Sequence, residues 1–162
     1  LDAAGTALSF AKDGGAITIL NPAPAQPLGE NILKLCDFVT PNEIEAEQIT
    51  GTPVKSINDA EIAAGKLLEK GASAAVITLG EQGALFKDNN QIIHQPSYEV
   101  GPVVETTGAG DAFNGGLAVA LAEEMPIDKA LRFACATASI SVTRQGTAPS
   151  MPDRHEIDTL IK

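Results

Sequence analysis

The sequence predicts an α/β fold built on a parallel sheet, on three observations. Short apolar runs such as AITIL (16–20) and SAAVITLG (73–80) alternate with segments of helical periodicity, the pattern of strands that cross over through helices. The runs are continuously apolar, as in strands covered on both faces. Polar stretches marked by proline or glycine follow two of the strands, at 41–47 and 78–83, where open α/β sheets present ligand-binding loops. No repeat, low-complexity tract or linker interrupts the pattern, so residues 1–162 are expected to form a single α/β unit.

In chain order, AAGTALSFAK (3–12) reads as the tail of a helix stopped by Gly14-Gly15, and AITIL as a buried strand. NPAPAQP (21–27) is a loop, since its prolines lack N–H donors. A short helix around Ile32–Leu35 and a strand through Asp37–Thr40 follow. Pro41 opens the helix NEIEAEQIT and Gly51 closes it. In the next helix Asn58 is expected as the cap, with Glu61 three residues on, an Ile57–Ile62 staple, and Ala60, Ala64, Leu67 and Leu68 as its apolar stripe. After the strand SAAVITLG, GALFK and QIIHQ make a hairpin through Asp88-Asn89-Asn90. Helices are expected over about 108–124, 127–143 and 153–161, the first two rich in small residues and so closely packed.

Composition excludes several functions. A net charge of −10 argues against nucleic acid or an anionic membrane as partner. No apolar run is long enough to span a bilayer and no signal-peptide pattern opens the chain, so the expectation is a cytoplasmic protein. Two cysteines, Cys36 and Cys135, are too few for a disulfide framework or zinc cluster and read as buried reduced thiols. His94 and His155 have no partner at metal or triad spacing and read as structural.

The stretch ETTGAGDAFNGG (105–116) is the candidate site. Small residues at the start of a helix leave backbone N–H groups uncovered at its positive end, which gathers negative charge. Gly108, Ala109 and Gly110 supply that opening, and Asp111 adds a base beside it. It is neither a Walker loop, since no GK[ST] follows, nor the dinucleotide fingerprint, since Phe113 stands where the third glycine belongs. The plainer alternative is that Asp111 only complements the helix dipole. Likewise, Glu43, Glu45 and Glu47 are either a solvated helix face or part of a site at a strand end.

With NPAPAQPL, FVTPNEIEAEQITG, VITLGEQGALF, TTGAGDAFNGGLAVAL and ALRFACATASISVTRQGTAPSMP in place, the chain resembles the ribokinase-like (PfkB-type) carbohydrate kinases over nearly its whole length. The resemblance implies a three-layer α/β/α sheet fold and ATP-dependent phosphorylation of a sugar hydroxyl. The NPAP and SVTRQGTAPSMP segments favour D-ribose to ribose 5-phosphate. Alternatives are a PfkB-type kinase for another sugar or nucleoside, or a non-catalytic nucleotide-binding fragment. It implies that Asp111 is the general base and sugar contact, and that the amides of Gly108 to Asp111 form the anion hole. Asn42 would hold phosphates and Glu45 magnesium through water; Thr78, Gly80, Gly83 and Gly110 would line ATP, with Cys135 near the adenine. A monovalent cation, expected to be potassium, would take Glu105, Thr107, Ser141, Arg144, Gly146 and Ser150, several through backbone carbonyls. At that site the family usually has Asp where this chain has Glu105.

Members of that family are much longer, and the part without a match here is their front half, with most sugar-binding residues and a small β-sheet lid. The expectations are therefore an incomplete sheet with an unpaired side, a fragment inactive alone, and association with the missing half or a second copy.

Overall fold

The computed structural model describes residues 2–24, 26 and 28–162, so Leu1, and Ala25 and Pro27 of the expected proline loop, lie outside it. The chain divides into two compact units. The first runs to Leu79 and resumes over Leu85–His94; the second comprises Gly80–Ala84 and Gln95–Lys162.

The first unit contains α1 (Asp2–Asp13), β1 (Ile19–Leu20), α2 (Glu30–Leu33), β2 (Phe38–Val39), α3 (Glu43–Thr50), α4 (Ile57–Glu69) and β3 (Ala74–Thr78), followed by most of the hairpin β4 (Ala84–Lys87) and β5 (Ile92–Gln95). The five strands follow chain order, β1-β2-β3-β4-β5. The first three are parallel, with Ile19 opposite Phe38 and Phe38 opposite Ala74. The expected hairpin closes with the Asp88 N–H donating to the Gln91 carbonyl at 3.1 Å, so the whole sheet is mixed.

One expectation fails at β1. AITIL was expected to be buried on both faces, but the strand is two residues long and Ile17 is 53% exposed. The reason is position: β1 ends the strand order, whereas β3, with a neighbour on each side, buries Ala74 to Ile77.

The core of this unit gathers Leu33, Val39 and Ile49 with Ala60, Ala63, Ala64 and Leu67 of α4 and Ala75 and Ile77 of β3. Alanines on the inner face of α4 let its backbone approach the sheet. Its cap is Ser56, not Asn58. The Ser56 side chain accepts the Asp59 N–H, and the Asp59 carboxylate accepts from the Lys55 N–H and the Ser56 hydroxyl. Ser-x-x-Asp supplies two partners to the helix start, which Asn58 could not do from inside the first turn. Ile57 and Ile62, expected as a staple, are 38% and 48% exposed. In α3 the expected Pro41 start and Gly51 stop hold, Gly51 taking the left-handed conformation (φ 70°) and donating to the Glu47 carbonyl.

The second unit is helical: α5 (Ala109–Ala122), α6 (Ile127–Ser141) and α7 (Arg154–Leu160), with one-turn 3-10 helices at Gly80–Gln82 and Ala148–Ser150. Close packing of α5 on α6 is borne out at Gly116, where an added Cβ would stand 2.7 Å from Thr137 Oγ1 and 3.0 Å from Ala134 Cα. Asp153 caps α7 in a reciprocal box with Glu156. Among the described residues no helix is long and apolar enough to cross a membrane.

Candidate active site

The start of α5 is built by its glycines. Gly108 is the cap residue with φ 83°, a left-handed conformation that strains any residue with a Cβ. It also lies against Thr147, whose Cγ2 and Cβ would be 3.2 and 3.3 Å from an added methyl. The Ala109 N–H donates to the Thr106 carbonyl at 3.1 Å, and that of Ala112 to the Gly108 carbonyl at 2.9 Å. The Ala109 N–H, one of the amides expected to meet an anion, has the Thr106 carbonyl as its partner in this turn. The N–H groups of Gly110 and Asp111 take no partner among the described residues, and an added Cβ at Gly110 would meet nothing within 4 Å.

Asp111 is exposed in the first turn and its carboxylate makes no hydrogen bond or ion pair among the described residues. The contrast with the other helix starts is informative. Asn42, Ser56 with Asp59, and Asp153 all turn their side chains onto backbone N–H groups. Asp111 does not, which leaves its carboxylate available beside uncovered donors. The helix dipole still favours a charge here, but the fold makes no use of the side chain.

The loop after α6 forms the second wall of this turn. The Val142 carbonyl accepts from the N–H groups of Val104 (2.8 Å) and Glu105 (3.2 Å). Glu105 Oε2 accepts the Gly146 N–H at 2.8 Å. Ser150, buried, donates its hydroxyl to the Thr147 carbonyl, and Ser141 to the Ala138 carbonyl. The Arg144 N–H donates to the Ser141 carbonyl at 3.2 Å. The Arg144 guanidinium pairs with the Glu156 carboxylate, which holds that carboxyl below its ordinary value. Thr107 is exposed. The six residues named from the sequence thus sit on two adjoining segments, 105–107 and 141–150. What the sequence did not reveal is the Thr147 contact to Gly108 and the Glu105 tie to Gly146.

A second cluster in the same unit joins the Gly80–Gly83 turn to α6. Gly80 and Gly83 both have positive φ, 52° and 91°. An added Cβ at Gly83 would stand 2.0 Å from the Gln95 carbonyl oxygen, so glycine is required there by packing alone. Ser97 donates to the Glu81 carbonyl at 2.6 Å, and the Cys135 thiol lies 3.8 Å from the Gln95 carbonyl. Burial pushes the Cys135 thiol up to about 12.

In the first unit Asn42 bridges Thr78 in parallel register, with the Thr78 N–H donating to the Pro41 carbonyl at 3.0 Å. Asn42 and Glu45 form a capping box. Asn42 Oδ1 accepts the Glu45 N–H and Glu45 Oε2 accepts the Asn42 N–H, both at 2.9 Å. Glu45 is 7% exposed, so the solvated-face alternative does not describe it. The box fixes both side chains and occupies one carboxylate oxygen.

A cleft of about 340 Å³ runs from Asp111 between α5, α6 and α7, over Gly115, Phe133 and Met151. Its lining is mostly apolar. Thr137 donates to the Phe133 carbonyl, and Arg154 pairs with Glu123 and Asp158. Among the described residues of this lining, Asp111 is the polar side chain left unengaged.

The model of the pfkB family carbohydrate kinases matches residues 2–154. The ribokinase of Haemophilus influenzae is 43% identical over 152 residues, 93% of this chain and 49% of that protein. The deoxyribokinase of Salmonella typhi is 39% identical over 96% of this chain and 51% of its own. The structure of Arabidopsis thaliana ribokinase complexed with ribose and ATP superposes with a TM-score of 0.94 at 32% identity, over 99% of this chain and 52% of that one. The chain spans about half the length of the curated relatives it matches. With its fold and its glycine turn both accounted for, the chain belongs to the pfkB family of carbohydrate kinases.

Proposed function

We propose that this chain carries the phosphate-transfer machinery of an ATP-dependent sugar kinase within one kinase domain, with D-ribose as the sugar and ribose 5-phosphate as the product. The observation that carries the reading is the Asp111 carboxylate, unengaged among the described residues, beside the N–H groups of Gly110 and Asp111 that likewise take no partner there, at the positive end of α5.

Phosphoryl transfer needs little covalent chemistry from the protein and much positioning and charge stabilisation. The sugar hydroxyl oxygen attacks the γ-phosphorus, the bond to the ADP oxygen breaks, and the hydroxyl proton passes to Asp111. The Gly110 and Asp111 amides face the equatorial oxygens as charge redistributes. The open space at Gly110 is what a close approach of phosphate to backbone requires. Magnesium, when bound, neutralises the phosphates. Glu45, held rigid by its capping box, is the carboxylate of this chain suited to meet it through water. Gly80, Gly83, Thr78 and Cys135 are assigned to the nucleotide, and the oxygens around Glu105 to potassium.

The test is Asp111→Asn in the protein as its gene encodes it, in a coupled assay of ribose-dependent ADP release. Loss of a general base should lower kcat about 10²- to 10⁴-fold with ATP affinity retained. Equal loss of ATP binding would make the residue structural. The 39% identical deoxyribokinase favours one second reading, 2-deoxyribose as acceptor; comparing kcat/KM for the two sugars decides between them. Absence of turnover with any sugar would support a non-catalytic nucleotide-binding role.

A further inference from the structure

Gly108 must hold a left-handed turn, and two contacts from outside α5 hold it there. One is Thr147, packed on the Gly108 α-carbon. The other acts at a distance. Glu105 Oε2 accepts the N–H of Gly146, the residue before Thr147, at 2.8 Å. Gly146 is itself left-handed at φ 85°, so its amide direction is set by a conformation few residues adopt. The Glu105 and Val104 amides are tied to the Val142 carbonyl at the other end of the same loop. Residues 104–108 and 142–150 are thereby joined at both ends, with the Gly108 turn between them.

We propose that Glu105 is a positioning residue for phosphoryl transfer: through the Gly146 amide it seats Thr147 against Gly108 and so aims the Gly110 and Asp111 donors. The role rests on the kinase reading above, and it needs an acceptor oxygen at residue 105 rather than a negative charge. A carboxylate acting only as a cation ligand would need the charge.

That difference supplies the test, made in the protein as its gene encodes it. Glu105→Gln keeps an acceptor and, at saturating potassium, should retain a kcat about tenfold above that of Glu105→Ala. Glu105→Ala should lower kcat about 10- to 100-fold while KM for ATP changes little, the signature of misplaced donors rather than lost binding. Thr147→Ala, at an exposed loop position, should lower kcat about threefold to tenfold by the same route. Amide hydrogen exchange gives a readout independent of turnover. Glu105→Ala should accelerate exchange at Gly146 and across 108–112, and Glu105→Gln should not. If the wild-type protein transfers no phosphate, the kinase reading falls while the exchange comparison still judges the tie. Glu105→Gln as impaired as Glu105→Ala, with any potassium response lost in both, would overturn the proposal. So would wild-type exchange in Glu105→Ala.

Discussion

Gly116 of α5 faces Thr137 of α6 so closely that a methyl on the glycine would stand 2.7 Å from the threonine hydroxyl oxygen. Thr137 Cβ and the backbone Ala134 Cα both lie 3.0 Å from the same point, and the Thr137 hydroxyl is held by its bond to the Phe133 carbonyl. Gly116→Ala should therefore cost about 1–3 kcal/mol by overpacking, measured as a lower urea midpoint. An unchanged midpoint would mean the helices separate freely.

Gly110 makes the opposite case in the same helix. Nothing lies within 4 Å of an added Cβ there, and alanine is the better helix former by about 1 kcal/mol. Gly110→Ala should hold or raise the melting temperature yet sharply reduce phosphoryl transfer, because the methyl occupies the approach to the amides. Full activity in this variant would place the phosphate elsewhere.

Asp37 provides a pH dependence. Its carboxylate accepts the Thr18 N–H at 2.9 Å, lies 2.9 Å from the Thr18 hydroxyl, and meets Lys12 Nζ at 3.2 Å. Burial by itself raises its pKa, but these bonds outweigh it and hold the group below its ordinary 3.8. A depressed folded value means the stabilisation is present above 3.8 and is lost as pH falls through the folded value. Asp37→Ala should cost about 1 kcal/mol at pH 7, the pair being partly solvated. The gap between wild type and variant should narrow on acidification, and a gap independent of pH would contradict the assignment.

Both thiols should be inert in the native protein. Burial pushes Cys36 up to about 11 and Cys135 to about 12, and only the thiolate is nucleophilic. A thiol reagent at pH 8 should titrate two groups after denaturation and essentially none before. Rapid labelling of Cys135 in the folded state would show that its pocket opens.

How much was legible in the sequence follows from the range of the interactions involved. Pro41 and Gly51 placed α3, Asp88-Asn89-Asn90 placed the hairpin, and helical spacing placed the C-terminal helices, because turn and helix signals act over a few residues. ETTGAGDAFNGG located the uncovered helix start, since a missing side chain is visible in the sequence itself. The α4 cap escaped because Ser56 and Asn58 are both good capping residues; the reciprocal Ser56–Asp59 bonds decided between them. The burial of β1 escaped because a strand's neighbours are not written in the strand.

By itself, then, the sequence determined the α/β class, the family and the turn that presents Asp111, all set by local chemistry and pattern. Only the tertiary structure decided that the Asp111 carboxylate is left unengaged among the described residues and that Glu105 reaches across 41 residues to Gly146. Those outcomes depend on which segments meet in space, and no spacing along the chain encodes that meeting.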